Sequence, residues 1–185
     1  MTSLQSVDLS HNRIFHLPSL AFGTLDGVGT QLYQLNLAGN LLTSIDNGGA
    51  FLYMTSVAYL DLSYNRLTTF VAGAFERLTN LETLLLNNNR LHRFPGDALR
   101  GQHRLRVLRL DNNDIVGLPP HALLDMASLH LLTLAHNRLI SITAGVLKPD
   151  VLTQLRTLDL SANNIQYLST MAFANLSALQ VLDLS

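Results

Sequence analysis

The sequence predicts an α/β solenoid: a curved right-handed coil with a parallel concave β-sheet of about eight short strands and irregular convex loops. Three observations predict it. Leucine supplies 42 of the 185 residues. A pattern L-x-x-L-x-L-x-x-N-x-L recurs along the whole chain, with first positions spaced 28, 25, 24, 24, 24, 26 and 24 residues apart. Within each copy the apolar residues alternate, which is the period of a strand with one buried face.

The first copy is Leu4, Val7, Leu9, Asn12 and Ile14; the second is Leu32, Leu35, Leu37, Asn40 and Leu42. The third runs Val57, Leu60, Leu62, Asn65, Leu67, and the fourth Leu81, Leu84, Leu86, Asn89, Leu91. The fifth is Leu105, Leu108, Leu110, Asn113, Ile115; the sixth Leu129, Leu132, Leu134, Asn137, Leu139. The seventh is Leu155, Leu158, Leu160, Asn163, Ile165, and a partial eighth is Leu179, Leu182, Leu184. One array is therefore expected over residues 1–185, with seven full repeats starting near 4, 32, 57, 81, 105, 129 and 155 and a partial one from 179. A single coil cannot bury its own leucines, but stacked coils bury them against one another. Such arrays end in coils with a polar outer face. None is evident here, so an uncapped piece of a longer array is expected.

The asparagines Asn12, Asn40, Asn65, Asn89, Asn113, Asn137 and Asn163 stand where each chain turns out of its strand. Their amides are expected to bond backbone groups of their own and the next coil, forming a ladder, because a buried amide without partners is costly.

The second half of each repeat reads L/I/F-x-x-x-x-x-F/L-x-x-L, as in Phe70, Phe75, Leu78 and Leu168, Phe173, Leu176. Phe22, Phe51, Phe75 and Phe173 share one slot, filled elsewhere by Leu99, Leu123 and Leu147. These segments are too short and interrupted for a long amphipathic helix. On these motifs the chain resembles the leucine-rich repeat family over its whole length. The repeats of roughly 24 residues resemble its typical, extracellular class rather than the longer helix-bearing repeats of the ribonuclease inhibitor. Long cysteine-poor arrays similar to chaoptin-type adhesion proteins fit best, with Toll-like receptors and Slit-like proteins close. The resemblance implies a convex phenylalanine spine and a protein–protein interaction module, with no enzymatic activity and no cofactor. It implies adhesion or ligand recognition at the cell surface or outside the cell, through a protein ligand or a homophilic partner. The alternative is an intracellular scaffold or regulatory subunit using the same concave face.

Composition sets limits. Net charge is -1, without a basic stripe or an acidic tail. That argues against nucleic acid as a partner, because phosphate binding needs clustered Lys and Arg. No run of eighteen apolar residues exists, so direct membrane insertion by this segment is not expected. The start, MTSLQSVDLS, lacks the basic and apolar stretches of a secretion signal. Cysteine is absent. That fits a reducing compartment, and it equally fits a protein whose disulfides lie outside this chain.

Catalytic and metal chemistry find little support. Asp8, Ser10 and His11 have triad residue types, but they fall within one strand and its turn, without a sheltered pocket. The seven histidines show no repeated ligand spacing. Asp159 and Asp183 share a column where like charges repel; their neighbours Ser161 and Ser185, or water, relieve this more simply than calcium. The glycines of Gly27-Val28-Gly29 lack a following helix and a phosphate-loop lysine. Extra residues around Leu25 to Gln31 and around Lys148-Pro149-Asp150 fall on the convex return, where loops tolerate insertion. Asn175-Leu176-Ser177 matches the N-glycosylation acceptor.

Alternation also assigns the outward positions of the concave face. The central column is Asp8, Asn36, Asp61, Leu85, Arg109, Thr133, Asp159, Asp183. The column before it is Ser6, Gln34, Tyr59, Thr83, Val107, Leu131, Thr157, Val181. Coils one, three, seven and eight carry L-D-L-S, whereas coils four to six depart from it. The candidate partner-binding set is therefore Tyr59, Asp61, Tyr64, Leu85, Arg106, Val107, Arg109, Leu131 and Thr133, an interface-like mixture of apolar side chains, tyrosine and arginine. Eight strands about 4.8 Å apart, read over five positions of about 3.3 Å, offer roughly 550 Å². That is part of the roughly 800 Å² a standard interface takes from each partner.

Overall fold

Each x-L-x-L-x segment makes a short strand because its leucines have somewhere to go: the coil before and the coil after. The computed structural model describes residues 3–22, 31–45, 49–94 and 96–185. The strands are β1 (Ser6–Asp8), β2 (Gln34–Asn36), β3 (Ser44–Ile45), β4 (Tyr59–Asp61), β5 (Thr69–Phe70) and β6 (Thr83–Leu85). They continue with β7 (Val107–Arg109), β8 (Leu131–Thr133), β9 (Ser141–Ile142), β10 (Thr157–Asp159), β11 (Tyr167–Leu168) and β12 (Val181–Asp183). Eight of them form one parallel sheet in the order β1-β2-β4-β6-β7-β8-β10-β12. Each coil thus contributes one strand and pairs only with its sequence neighbours.

The register follows the repeat. Leu35, Leu60, Leu84, Leu108, Leu132 and Leu158 lie side by side and are fully buried. Small parallel pairs β3-β5 and β9-β11 form where the chain leaves the sheet. The return segments are turns, with one short 3-10 helix at Gly49–Phe51. Phe51 stacks on Phe75 at 6.2 Å, and Phe70 meets both Phe75 and Phe94 edge-on at 5.4 and 5.7 Å. Leu99 and Leu123 continue this line, buried in the same core. Among the described residues no helix is long and apolar enough to cross a membrane. The insertion around Lys148 forms a turn in which Val151 and Leu152 both donate to the Lys148 carbonyl. Most of the insertion around Leu25, including Gly27 and Gly29, lies outside the described residues.

Candidate binding surface

The concave face has three columns with different physical roles. The column two residues past the centre is largely buried, as at Ala38, Ser63, Asn87, Asp111 and Ala135. In the L-D-L-S coils this column closes the strand. Asp61 Oδ1 accepts from Ser63 N at 2.9 Å and from its hydroxyl at 2.6 Å, and Asp159 repeats this with Ser161 at 3.0 and 2.6 Å. Asp8 and Asp183 accept from Ser10 N and Ser185 N in the same way. Hydrogen bonds favour the charged form. The Ser10 side chain and backbone hold the Asp8 carboxyl below its usual range, and the Ser185 backbone and side chain do so for Asp183. The consensus aspartate therefore serves its own turn and is not a free ligand.

Coils four to six abandon this device. Coil five inverts it: Asp111 is buried and accepts from Arg109 Nε at 3.2 Å and Nη2 at 3.4 Å. Thr133 donates its hydroxyl to the same Asp111 carboxylate in a short bond. Arg109 is therefore a guanidinium already matched by a carboxylate of its own coil. Thr133 lies buried with its hydroxyl committed. Leu85, Val107 and Leu131 are half-buried on the open sheet. Asn87 is buried with its Oδ1 unpartnered. Tyr59 donates to Asp61 Oδ2 at 3.4 Å. Partial burial first, and the adjacent Asp61 charge second, push its phenol above the usual range. Arg106 is exposed and rests 3.6 Å from Glu82 Oε2.

Tyr64 does not stand on the sheet. It falls three residues past the end of β4, exposed, with φ of 54°. It belongs to a column that sequence reading missed: His11, Gly39, Tyr64, Asn88, Asn112, His136 and Ala162 all have φ between 51° and 67°. Each directly precedes a ladder asparagine. The left-handed residue swings the chain out of the strand and aims the following amide inward. Gly39 and the asparagines Asn88 and Asn112, types that tolerate this conformation, were the available signal.

The ladder points backward. Asn89 Nδ2 donates to Leu62 O of the preceding coil at 3.0 Å and to Leu86 O of its own at 3.1 Å. Its Oδ1 accepts from Leu67 N of the preceding coil at 2.9 Å. Asn40, Asn65, Asn113, Asn137 and Asn163 make the same set. The expected partner coil was the next one; the side chain instead reaches back, because its turn is stacked over the previous coil's exit. Among the described residues Asn12 bonds only its own Leu9 and Ser10 carbonyls, and it is exposed.

A second feature escaped the sequence reading. Gln102 occupies the convex slot held by Leu78 and Leu176 and is 1% exposed. Its Nε2 donates to Phe75 O at 2.9 Å, and its Oε1 has no partner among the described residues. The aligned repeats carry the signal, an amide in a leucine position. Asn175 is exposed on the convex return with φ of 62°, followed by the exposed Ser177.

Models of the leucine-rich repeat match residues 30–91, 79–139 and 132–185, and a further one matches residues 3–25. The chain belongs to the leucine-rich repeat family. A crystal structure of the TLR13–ssRNA13 complex is similar, with a TM-score of 0.86 at 29% identity. That match covers 98% of this chain and 25% of the other. The Leptospira interrogans leucine-rich repeat protein LIC12759 shares the fold, with a TM-score of 0.72 at 23% identity, over 100% of this chain and 55% of that one. This leucine-rich repeat segment thus spans a quarter and about half of these two chains. Its family is one of interaction modules, and its fold is the family's solenoid.

Proposed function

We propose that this leucine-rich repeat segment recognises a protein partner on the concave sheet at coils four to six, within a cell-surface or extracellular protein of adhesion or ligand recognition. One observation carries the reading. The coils that keep L-D-L-S use their outward aspartate to close their own turn, whereas Leu85, Val107 and Leu131 make no such internal contribution and leave apolar surface open. A protein partner is one ligand class that such surface beside arginine fits. Similarity to a chain of the TLR13–ssRNA13 complex supports a receptor-like setting. The Asn175-Leu176-Ser177 acceptor, with Asn175 and Ser177 exposed, supports a secreted one, with Asn175 as glycan acceptor. The partner is a protein ligand or a second copy of the protein.

The test uses paired variants. Leu85→Lys with Leu131→Asp charges the concave patch, and Arg100→Glu on the exposed convex return is the control. Homophilic pairing is read by aggregation of beads coated with the chain, and ligand binding by titration with a candidate ectodomain. The concave variant is expected to lose binding, while the control keeps it. Equal loss or equal retention moves the site off the concave sheet. For Asn175, expression through a secretory pathway is expected to give a band shift removed by peptide N-glycosidase and by Asn175→Gln. An unshifted band refutes the acceptor role.

A further inference from the structure

The residue before each strand forms its own stack along one edge of the sheet. Tyr33, Ala58, Glu82, Arg106, His130, Arg156 and Gln180 succeed one another there. Their order is set by backbone bonds from Arg106 N to Glu82 O at 2.8 Å, His130 N to Arg106 O at 2.9 Å and Arg156 N to His130 O at 2.9 Å. Below this stack, Arg104 donates from Nη1 to Asn80 Oδ1 at 2.6 Å, and Asn80 is itself anchored on Thr55 O at 2.8 Å. Arg104 is thus held in place by a neutral amide that leaves its charge uncompensated. Glu82, Arg104, Arg106 and Ser128 line an open cleft of about 160 Å³. Arg156 is exposed and makes no ion pair among the described residues.

We infer that this edge, at coils five to seven, docks an acidic segment of a protein partner, with Arg104, Arg106 and Arg156 receiving its carboxylates. Three guanidiniums stand along this edge with one carboxylate, Glu82, paired to Arg106, on a chain whose net charge is -1, so the positive charge here is local. The Arg106–Glu82 pair is 61% and 39% exposed. Exposed pairs of this kind contribute little, and a partner carboxylate replaces Glu82 readily. Arginine suits the role because its fork binds a carboxylate through two parallel bonds.

The adjoining surface selects the kind of anion. One residue further along the strands lie Val107 and Leu131, half-buried and apolar. Asp61 stands at the next level of the sheet two coils before Arg106, and Asp159 lies three residues beyond Arg156 on the strand it precedes, at about 3.3 Å each. That is about 10 Å, near the Debye length of about 8 Å at physiological salt. A continuous polyanion laid over the edge would meet those aspartates. A short acidic segment with apolar neighbours meets arginine on one side and Val107 and Leu131 on the other.

This inference rests on the concave-face reading and specifies the partner's chemistry. The test uses a fluorescein-labelled soluble peptide of glutamates interspersed with leucines, a same-length peptide of lysines and leucines, and a single-stranded RNA oligonucleotide. Each is titrated by anisotropy against the parent chain. The acidic peptide is expected to bind at least about tenfold more tightly than the basic one and to weaken with salt. Arg104→Glu with Arg106→Glu and Arg156→Glu is expected to abolish that preference. Arg66→Glu with Arg90→Glu, both exposed on the opposite edge, is expected to keep it. Arg156→Glu alone, at an exposed and unpaired site, supplies the same readout with several-fold weaker binding should the triple variant not fold. Equal binding of both peptides, or an unchanged preference in the folded variants, overturns the inference. So does RNA displacing the acidic peptide, which transfers the edge to nucleic acid. With a partner in hand, loss in Leu85→Lys with Leu131→Asp but not in the arginine variants sinks this inference and spares the concave reading. The opposite pattern sinks the concave reading.

Discussion

Asn89→Ala tests the ladder most directly, because the structure says which backbone groups lose a partner and which do not. Asn89 makes bonds to four backbone groups: Leu67 N, Leu62 O, Leu86 O and, at 3.4 Å, Asn87 O. The three carbonyls keep other donors. Leu62 O retains Asn65 Nδ2, Leu86 O retains Asn113 Nδ2, and Asn87 O retains Tyr64 N. Only the buried Leu67 N–H is orphaned. An unsatisfied buried donor costs about 1–3 kcal/mol, and the space vacated by the amide adds to it, so about 2–3 kcal/mol is expected. For a chain of this size that lowers the melting temperature by roughly 4–12 °C. Asn12→Ala is the internal reference: its amide is exposed and serves only its own coil, so less than about 1 kcal/mol is expected. Asn89→Asp keeps an acceptor for Leu67 N but turns anionic oxygen toward the three carbonyls. Its folded pKa is therefore raised, and the variant's deficit against the parent is expected to be smaller below about pH 4 than at neutrality. Urea and thermal unfolding give the stabilities, and hydrogen exchange reports Leu67 N directly. If Asn89→Ala melts with the parent, or loses no more than Asn12→Ala, the ladder reasoning is wrong.

Other outcomes follow from single sites. Gln102→Leu removes a buried oxygen without a partner, while Phe75 O keeps the Leu78 N–H; a gain of about 1–2 kcal/mol in urea unfolding is expected, and a loss refutes it. Ala162→Gly relieves a left-handed alanine and is expected to gain about 0.5–1 kcal/mol. Gly39→Ala places a methyl in that conformation 2.7 Å from His11 Nδ1 and is expected to cost about 1–2 kcal/mol; equal melts of the two variants count against the left-handed column. Tyr59 is expected to ionise above the ordinary phenol range in an absorbance titration, assigned by its loss in Tyr59→Phe. Because its folded pKa is raised, the stability it contributes is present below its ordinary value of 10.0 and is lost as pH rises through the folded value. Asp61→Asn should bring the transition part of the way back, since burial is the larger cause; an unmoved transition excludes Asp61 from the effect.

The solenoid was legible because a strict period leaves little choice. Once Leu60, Leu84 and Leu108 must face inward, register and sheet order follow, and the structure pairs them as alternation requires. The concave columns were legible for the same reason. What alternation does not encode is which outward side chains are spent on one another. Arg109 reads as free until it and Thr133 are seen to converge on Asp111. Tyr64 reads as part of the face until the backbone is seen to turn left-handed beneath it. The basic edge was hidden for a different reason: Arg104, Arg106 and Arg156 are scattered over three repeats and cancel in the net charge. Only stacking brings Arg156 to the edge that Arg104 and Arg106 share.

The backward reach of the ladder makes the coil an exchangeable unit. Asn113 serves Leu86 and Leu91 of the coil before it as Asn89 serves Leu62 and Leu67, at matching distances. The backbone groups contacted are the same at both junctions, and the four repeat starts from Val57 to Leu129 are spaced evenly by 24 residues. Excising one period between equivalent asparagines, residues 90–113, would therefore present each remaining amide with the same carbonyls and N–H it now sees. A shortened array should close without a mismatched junction, and a lengthened one likewise. Length can then drift by whole coils at small cost to the core, while the outward columns, which no junction checks, are free to diverge and acquire their own partners.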